Sequence, residues 1–532
     1  MLESELERNF SAIKKEDPRL YFVAYQVNDL DSYSISSSFG DLANTVHTQN
    51  RLLDIDLRIG DYGFDNTHIV RGLAVNFGSS ANVSTLPLDN KPEPIKQTIW
   101  FSTDIAYKNA TNAYEKAKAN NLVKVEEEDQ SGDLTRESKT ITLQITDTQD
   151  PVISYLEIYA KTISSYLKGY DFLLSGTASI NIDNVDKYLI NTEGSNISWT
   201  EKGTRLMVTA HAKADDGMDL PLYRSYFYHS VEDLPKPESI KSDIEEMAST
   251  IKLLKDAPLM ETYTGPAIFS GEAAAVFFHE IFGHRVEGHR EKDPNSSQTF
   301  KDMHGELIFP SEIDVIFDPT IKNYRGNELS GYYPYDDQGI EGEKVISVKD
   351  GTFNSFLMSR IPIEGYEKSN GHGRRQPGYS PVARQSNLIV ETDKSFQNDQ
   401  LRSKLIKEVE DAGLEYGLLF ETVQGGFTFT SRGIPNAFNV QPLVVYKVYP
   451  DGRDDELVRG VDVIGTPLTV FKKILASSED VETFNGICGA ESGGVPVSAT
   501  SPALLIESIE IQKRMSSQSK PPLLSSPNRR ER

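Results

Sequence analysis

The sequence is poor in cysteine. Cys488 is the only one in 532 residues, so no intramolecular disulfide can form. A lone thiol is a small buried residue, a metal ligand or a nucleophile. Long apolar runs are missing too: none approaches 18 residues, and no membrane-spanning helix is expected. Bases are outnumbered, with 55 Lys and Arg against 79 Asp and Glu. The resulting net charge of −24 argues against nucleic acid or an anionic membrane as partner. The opening Met1-Leu2-Glu3-Ser4-Glu5 lacks the apolar core of a signal peptide, so the cytoplasm is the default location, export requiring a leader that is no longer present.

Hydrophobic residues make up 38% and charged residues 25%, a composition able to bury a core, and the length calls for two or more domains. Residues 20–60 read as strands: Ile55, Leu57 and Ile59 alternate with Asp54, Asp56 and Arg58. Thr103–Asn120 reads as a helix, and the acidic stretch around 126–133 as a solvated loop. Ile153–Leu167 carries a second apolar helical face with Gly169 as its stop. Alternation returns over 178–230, and Ile240, Ile244, Met247, Ile251 and Leu254 mark another amphipathic helix. Pro258 follows. The expected division is 1–256, an α+β N-terminal domain; 257–515, a β-rich C-terminal domain; and 516–532, a disordered tail.

The stretch Phe277-Phe278-His279-Glu280-Ile281-Phe282-Gly283-His284 follows good helix formers, Glu272 to Ala275. Two histidines and a glutamate this close point to zinc. Neutral imidazoles bind Zn²⁺, and a carboxylate beside it can take a proton from a water whose pKa the metal has lowered. The plainer reading is a satisfied core histidine with a surface glutamate. In H-E-x-x-H the histidines lie about 40° apart on a helix; five residues give about 140°. Both can reach one ion only if the helix is irregular here, through a π-bulge or by ending at Gly283.

Catalytic zinc usually has three protein ligands. Glu287, His289 and His304 are local candidates for the third; Cys488, on a glycine-rich segment, is the distant one. A second polar cluster holds Arg374, Arg375 and Arg384 near Gly371, Gly373 and Asn387. Arginines on such a loop can bind a peptide carboxylate bidentately, unless the loop is merely solvated.

With these stretches in order, the chain resembles the TldD/PmbA family of zinc metallopeptidases. The likeness spans most of the C-terminal half. It runs through His279-Glu280 and His284, Glu287-Gly288, Asp336-Asp337-Gln338-Gly339, Gly351-Thr352 and Phe356-Leu357. It continues through Gly373-Arg374-Arg375, Arg384-Gln385-Ser386-Asn387, Gln424-Gly425-Gly426, Lys447, Arg459-Gly460 and Ile464-Gly465, ending at Cys488-Gly489 and Val495-Pro496-Val497. No one of these is specific; the ordered set is. The resemblance implies an α+β N-terminal domain and a β-rich C-terminal domain carrying the zinc helix. It implies Zn²⁺ on His279, His284 and Cys488, with Glu280 as general base. It also implies a dimer, either a homodimer or a heterodimer with a related inactive subunit, that encloses the site and admits only unfolded or short peptides. Val382-Ala383 before Arg384, and His372 within Asn370-Gly371-His372-Gly373-Arg374-Arg375, depart from the family pattern and bear on substrate preference.

The function expected is therefore zinc-dependent hydrolysis of peptide bonds, with Arg374, Arg375 and Arg384 holding the substrate. The rivals are a non-catalytic zinc-binding assembly subunit, and a thiol hydrolase with Cys488 as nucleophile.

Overall fold

The computed structural model describes residues 1–70, 83–122, 129–146, 150–428, 438–465, 470–514 and 524. Apart from Leu524, the tail expected from 516 lies outside the described residues, as does the 126–128 part of the acidic stretch.

The alternating pattern of residues 20–60 forms a long antiparallel pair, Leu20–Ser38 with Asp41–Ile59. Leu20–Ser38 pairs in turn with Ser175–Asn191, and that strand with Asn196–Lys213. Among the described residues these strands belong to a seven-stranded sheet, with Val83–Thr85 at one end and Ile141–Gln144 and Asp219–Tyr228 on the far side of Asn196–Lys213. Helices Pro92–Asn121 and Ile153–Ser165 bury their apolar faces on it: Ile95, Ile99, Ala106 and Ala110 against Leu53, Ile55, Leu57 and Ile59, and Leu156, Ala160 and Ile163 against Ile35, Ile180 and Val208.

The first of these helices begins eleven residues before the expected Thr103. Proline is tolerated at the first helical position, where its missing N–H has no partner in any case. Trp100 and Phe101 are exposed on its outer face and blur the apolar periodicity. Asp54 lies on the polar side of its alternating strand. It is buried, because the C-terminal half covers that side of the sheet, and its Oδ1 accepts the Gly378 N–H at 2.8 Å.

The helix Lys241–Asp256 leads to the second sheet, which has twelve strands among the described residues, all between 263 and 513. Five of them close a ring of pairings: Tyr263–Phe269, Gly417–Thr428, Phe438–Val448, Val461–Gly465 and Gly493–Lys513. The helix Gly271–Ile281 packs against these strands. It is apolar over most of its circumference, and every residue from Ala273 to Ile281 is buried. Buried ion pairs, Lys187–Asp337 at 2.9 Å and Arg360–Glu193 at 2.8 Å, join the two sheets' halves of the chain. The fold is α+β, and among the described residues no helix is long and apolar enough to cross a membrane.

Candidate metal centre

The site helix starts where Ser270 caps it, accepting the Ala273 N–H at 3.2 Å and donating to the Glu421 carbonyl at 2.7 Å. It ends at Ile281, and Gly283–Arg285 forms a 3₁₀ turn. Of the two routes open to a five-residue spacing, the chain takes the early ending: His279 sits in the last α-turn and His284 in the tighter turn beyond it. Gly283 leaves room at the junction for the buried Gln385 amide, since a Cβ there would come within 1.9 Å of the Gln385 Oε1 unless that side chain moved.

Cys488 arrives from 209 residues away, near the end of strand Ile474–Ala490, where it pairs with Val495 across a hairpin. Its Sγ lies 3.2 Å from His279 Nε2 and 3.4 Å from His284 Nε2. The three donor atoms lie within 4.8 Å of one another, and all three residues are buried. Zinc–nitrogen bonds of roughly 2.0–2.1 Å and zinc–sulfur bonds of about 2.3 Å put tetrahedral N···S pairs about 3.5 Å apart, so the triangle fits such an ion. Burial alone would raise the Cys488 thiol, but the His284 and His279 rings outweigh it and hold the thiol well below its usual range, which favours the thiolate a metal requires.

The other candidates for third ligand lie elsewhere. Glu287, fully buried, meets His284 at the opposite ring nitrogen, with Nδ1 to Oε2 at 3.0 Å. Burial pushes its carboxyl up, but His284, Arg290 and Arg384 pull it down to about 2. His289 binds Glu491 at 2.8 Å, and His304 is exposed. Glu280 is buried beside the triangle, and desolvation raises its carboxyl against the pull of both histidines.

The three arginines are committed to protein acceptors. Arg384 is fully buried: Nη2 donates to the Cys488 carbonyl at 2.7 Å, while Nη1 donates to Ser492 Oγ at 2.7 Å and the Gly493 carbonyl at 2.9 Å. Arg374 donates to the Gln385 and Pro496 carbonyls at 2.7 and 2.8 Å, with its guanidinium 4.5 Å from the Tyr333 ring centroid. Arg375 donates to Gln26 of the N-terminal sheet at 2.7 Å. The sequence pattern points this loop towards substrate; in the structure Arg374 and Arg384 are buried and bond to the cysteine hairpin. Arg290 and Glu491 also meet here, without a residue pattern that singles them out. The one available signal was Glu287 three residues after His284, a spacing that brings side chains together on a helical turn.

A cavity of about 370 Å³ opens on the triangle, lined among others by Val276, Glu280, Arg290, Phe484, Ile487 and the Gln424-Gly425-Gly426 segment. That segment is a break in the pairing of Gly417–Thr428, with Gly425 at φ +146°.

The buried triangle of His279, His284 and Cys488, drawn from a helix end, a 3₁₀ turn and a strand with Glu280 beside it, has the donor set of a metal site. Residues 262–513 match the PmbA/TldA metallopeptidase C-terminal domain. That match covers 252 of the chain's 532 residues and places the likeness to PmbA/TldD-type metallopeptidases in its C-terminal half. It is 30% identical over 238 residues to a metalloprotease of Archaeoglobus fulgidus, covering 45% of this chain and 51% of that one. It is 27% identical over 350 residues to a metalloprotease of Methanothermobacter thermautotrophicus, covering 63% and 69%. The chain spans about half the length of most of the curated relatives it matches. In fold it resembles TldE of Thermococcus kodakarensis, with a TM-score of 0.61 at 13% identity over 96% of this chain and 99% of that one. It also resembles a Thermotoga maritima protein described as a putative modulator of DNA gyrase, with a TM-score of 0.60 at 18% identity over 96% and 100%.

Proposed function

We propose that this chain is a zinc-dependent metallopeptidase acting on unfolded or short peptides. The observation that carries the reading is the donor triangle of His279, His284 and Cys488, with Glu280 lining the same 370 Å³ cavity. Zn²⁺ held by those three residues would supply Lewis acidity to a peptide carbonyl and make water at the site more acidic. Glu280 would take the proton of the attacking water and hand it to the leaving amine. Glu287 would keep His284 turned with Nε2 towards the triangle, and Arg384 would hold the Cys488 backbone; both are positioning residues. On this reading Arg374 and Arg375 shape the site from behind its wall.

The relatives described as metalloproteases support the class of reaction. The resemblance to the TldD/PmbA family suggests a dimer, formed with a second copy or with a related inactive subunit, and the solved TldE is alike in fold. We place the domain division at 256/257 and the protein in the cytoplasm, and the charge of −24 supports a partner that is neither nucleic acid nor membrane.

The test compares wild type with Glu280→Gln, both assayed for bound zinc and then incubated with an unstructured peptide mixture read by mass spectrometry. Equal zinc with new fragments only from the wild type is the expected result. Fragments from both would remove Glu280 from the chemistry. Fragments from neither would leave a zinc-binding assembly subunit.

A further inference from the structure

The site helix has a second cavity at its other end. It has a volume of about 300 Å³ and lies against Ser270 and Gly271, where the helix begins. Its floor is apolar: Ile268, Leu401, Leu405, Leu419 and Val448. Its rim is acidic: Asp399, Glu421, Asp480 and Glu482. Among the described lining residues Arg402 is the only base, and it is paired with Asp455 at 2.5 and 2.9 Å. The lining therefore carries net negative charge, offset from outside it by Arg224 near Glu421. Burial, then Glu482, pushes the neighbouring Glu272 up to about 7, and burial, Glu246 and Glu482 raise Glu421 against Arg224. An apolar floor under an acidic rim matches a long side chain with an aliphatic stem and a cationic end.

The strands that line this cavity also line the metal cavity. Gly417–Thr428 contributes Leu419 and Glu421 here, and Gln424 to Gly426 there. Ile474–Ala490 contributes Ser478, Asp480 and Glu482 here, and Phe484 with Ile487 to Ala490 there. From Gly271 to His279 the helix rises about 12 Å, a span an extended peptide covers in about four residues.

We propose that this cavity is an exosite that binds a lysine or arginine side chain of the peptide substrate, at least four residues from the bond that is cut. The proposal rests on the peptidase reading above, and its test separates the two. Two fluorescein-labelled unstructured dodecapeptides, identical except that one carries lysine where the other carries norleucine, are titrated into full-length Glu280→Gln protein and followed by anisotropy. The lysine peptide is expected to bind about tenfold tighter. The preference should vanish when Asp480→Asn and Glu482→Gln are added. Glutamine keeps an oxygen that can accept the Glu272 N–H, now bound by Glu482 at 2.8 Å, so the helix start survives; thermal melting checks this. Independently of any variant, the preference should shrink between roughly 20 and 300 mM salt, because exposed carboxylates are screened. Equal binding of the two peptides, no binding of either, a preference that survives the double substitution, or one indifferent to salt overturns the exosite. A wild type that prefers the lysine peptide but never cuts it would refute the peptidase reading and leave the exosite standing.

Discussion

The Nδ1–H of His284 donates to Glu287 Oε2 at 3.0 Å. Glu287 is an acceptor because His284, Arg290 and Arg384 hold it ionised against the cost of burial. The bond keeps a proton on Nδ1, so Nε2, which faces Cys488 Sγ at 3.4 Å, is the ring atom that would be free to take a metal in place of a proton. Glu287→Gln should keep the fold and lower zinc affinity by roughly 10–100-fold, measured by competition with a chelating dye. Unchanged affinity would reduce Glu287 to a partner of Arg290.

Arg384 decides whether the arginine loop meets substrate or builds the site. Arg384→Lys retains the charge but cannot span the Cys488, Ser492 and Gly493 acceptors. Leaving buried acceptors unpaired should cost about 2–4 kcal/mol in denaturant unfolding and weaken zinc binding. A substrate contact would show the opposite pattern: full zinc content, normal stability and a raised KM.

Gly283 and Gln385 compete for the same space. Gly283→Ala should destabilise by about 1–3 kcal/mol through overpacking and displace His284. Gln385→Ala should relieve much of that cost in the double variant, even though it removes the bond from Gln385 Nε2 to the His279 carbonyl at 3.2 Å. A double-mutant cycle of chemical denaturation reads the coupling, and purely additive effects would show that the clash is absorbed elsewhere.

His372 makes stability depend on acid. It is fully buried between Asn370 and Ser386, and burial lowers its pKa from the ordinary 6.5 to about 3. The shift is downward, so the folded state keeps the ring neutral. Its contribution is complete above 6.5 and is lost as pH falls from 6.5 towards 3, by up to about 1.4 kcal/mol per pH unit. His372→Gln should flatten the unfolding free energy between pH 6 and 4. A slope equal to that of the wild type would place the acid sensitivity in other groups.

Local order along the chain made several elements legible. The period-two run Ile55, Leu57, Ile59 lies in a strand, and the apolar positions from Ile240 to Leu254 lie on one buried helix face. The burial of Asp54 was not legible, because alternation reports only that the two sides of a strand differ. It cannot tell whether the polar side meets water or, as here, another domain. The burial of the arginine loop was hidden for a related reason: glycine and charge read as exposure, whereas Arg384 is buried with both Nη groups on backbone and hydroxyl acceptors.

By itself the sequence determined the donor types, a helix up to the first histidine and the need for an irregularity before the second, since these depend on residue identity and helical spacing alone. Only the tertiary structure decided which third donor meets the histidines and what holds each in place. Cys488 is 209 residues from His279, and its position follows from a hairpin register and from the reach of Arg384. Interactions of that kind become favourable only when the distant segments are packed and dry, and no local pattern along the chain encodes them.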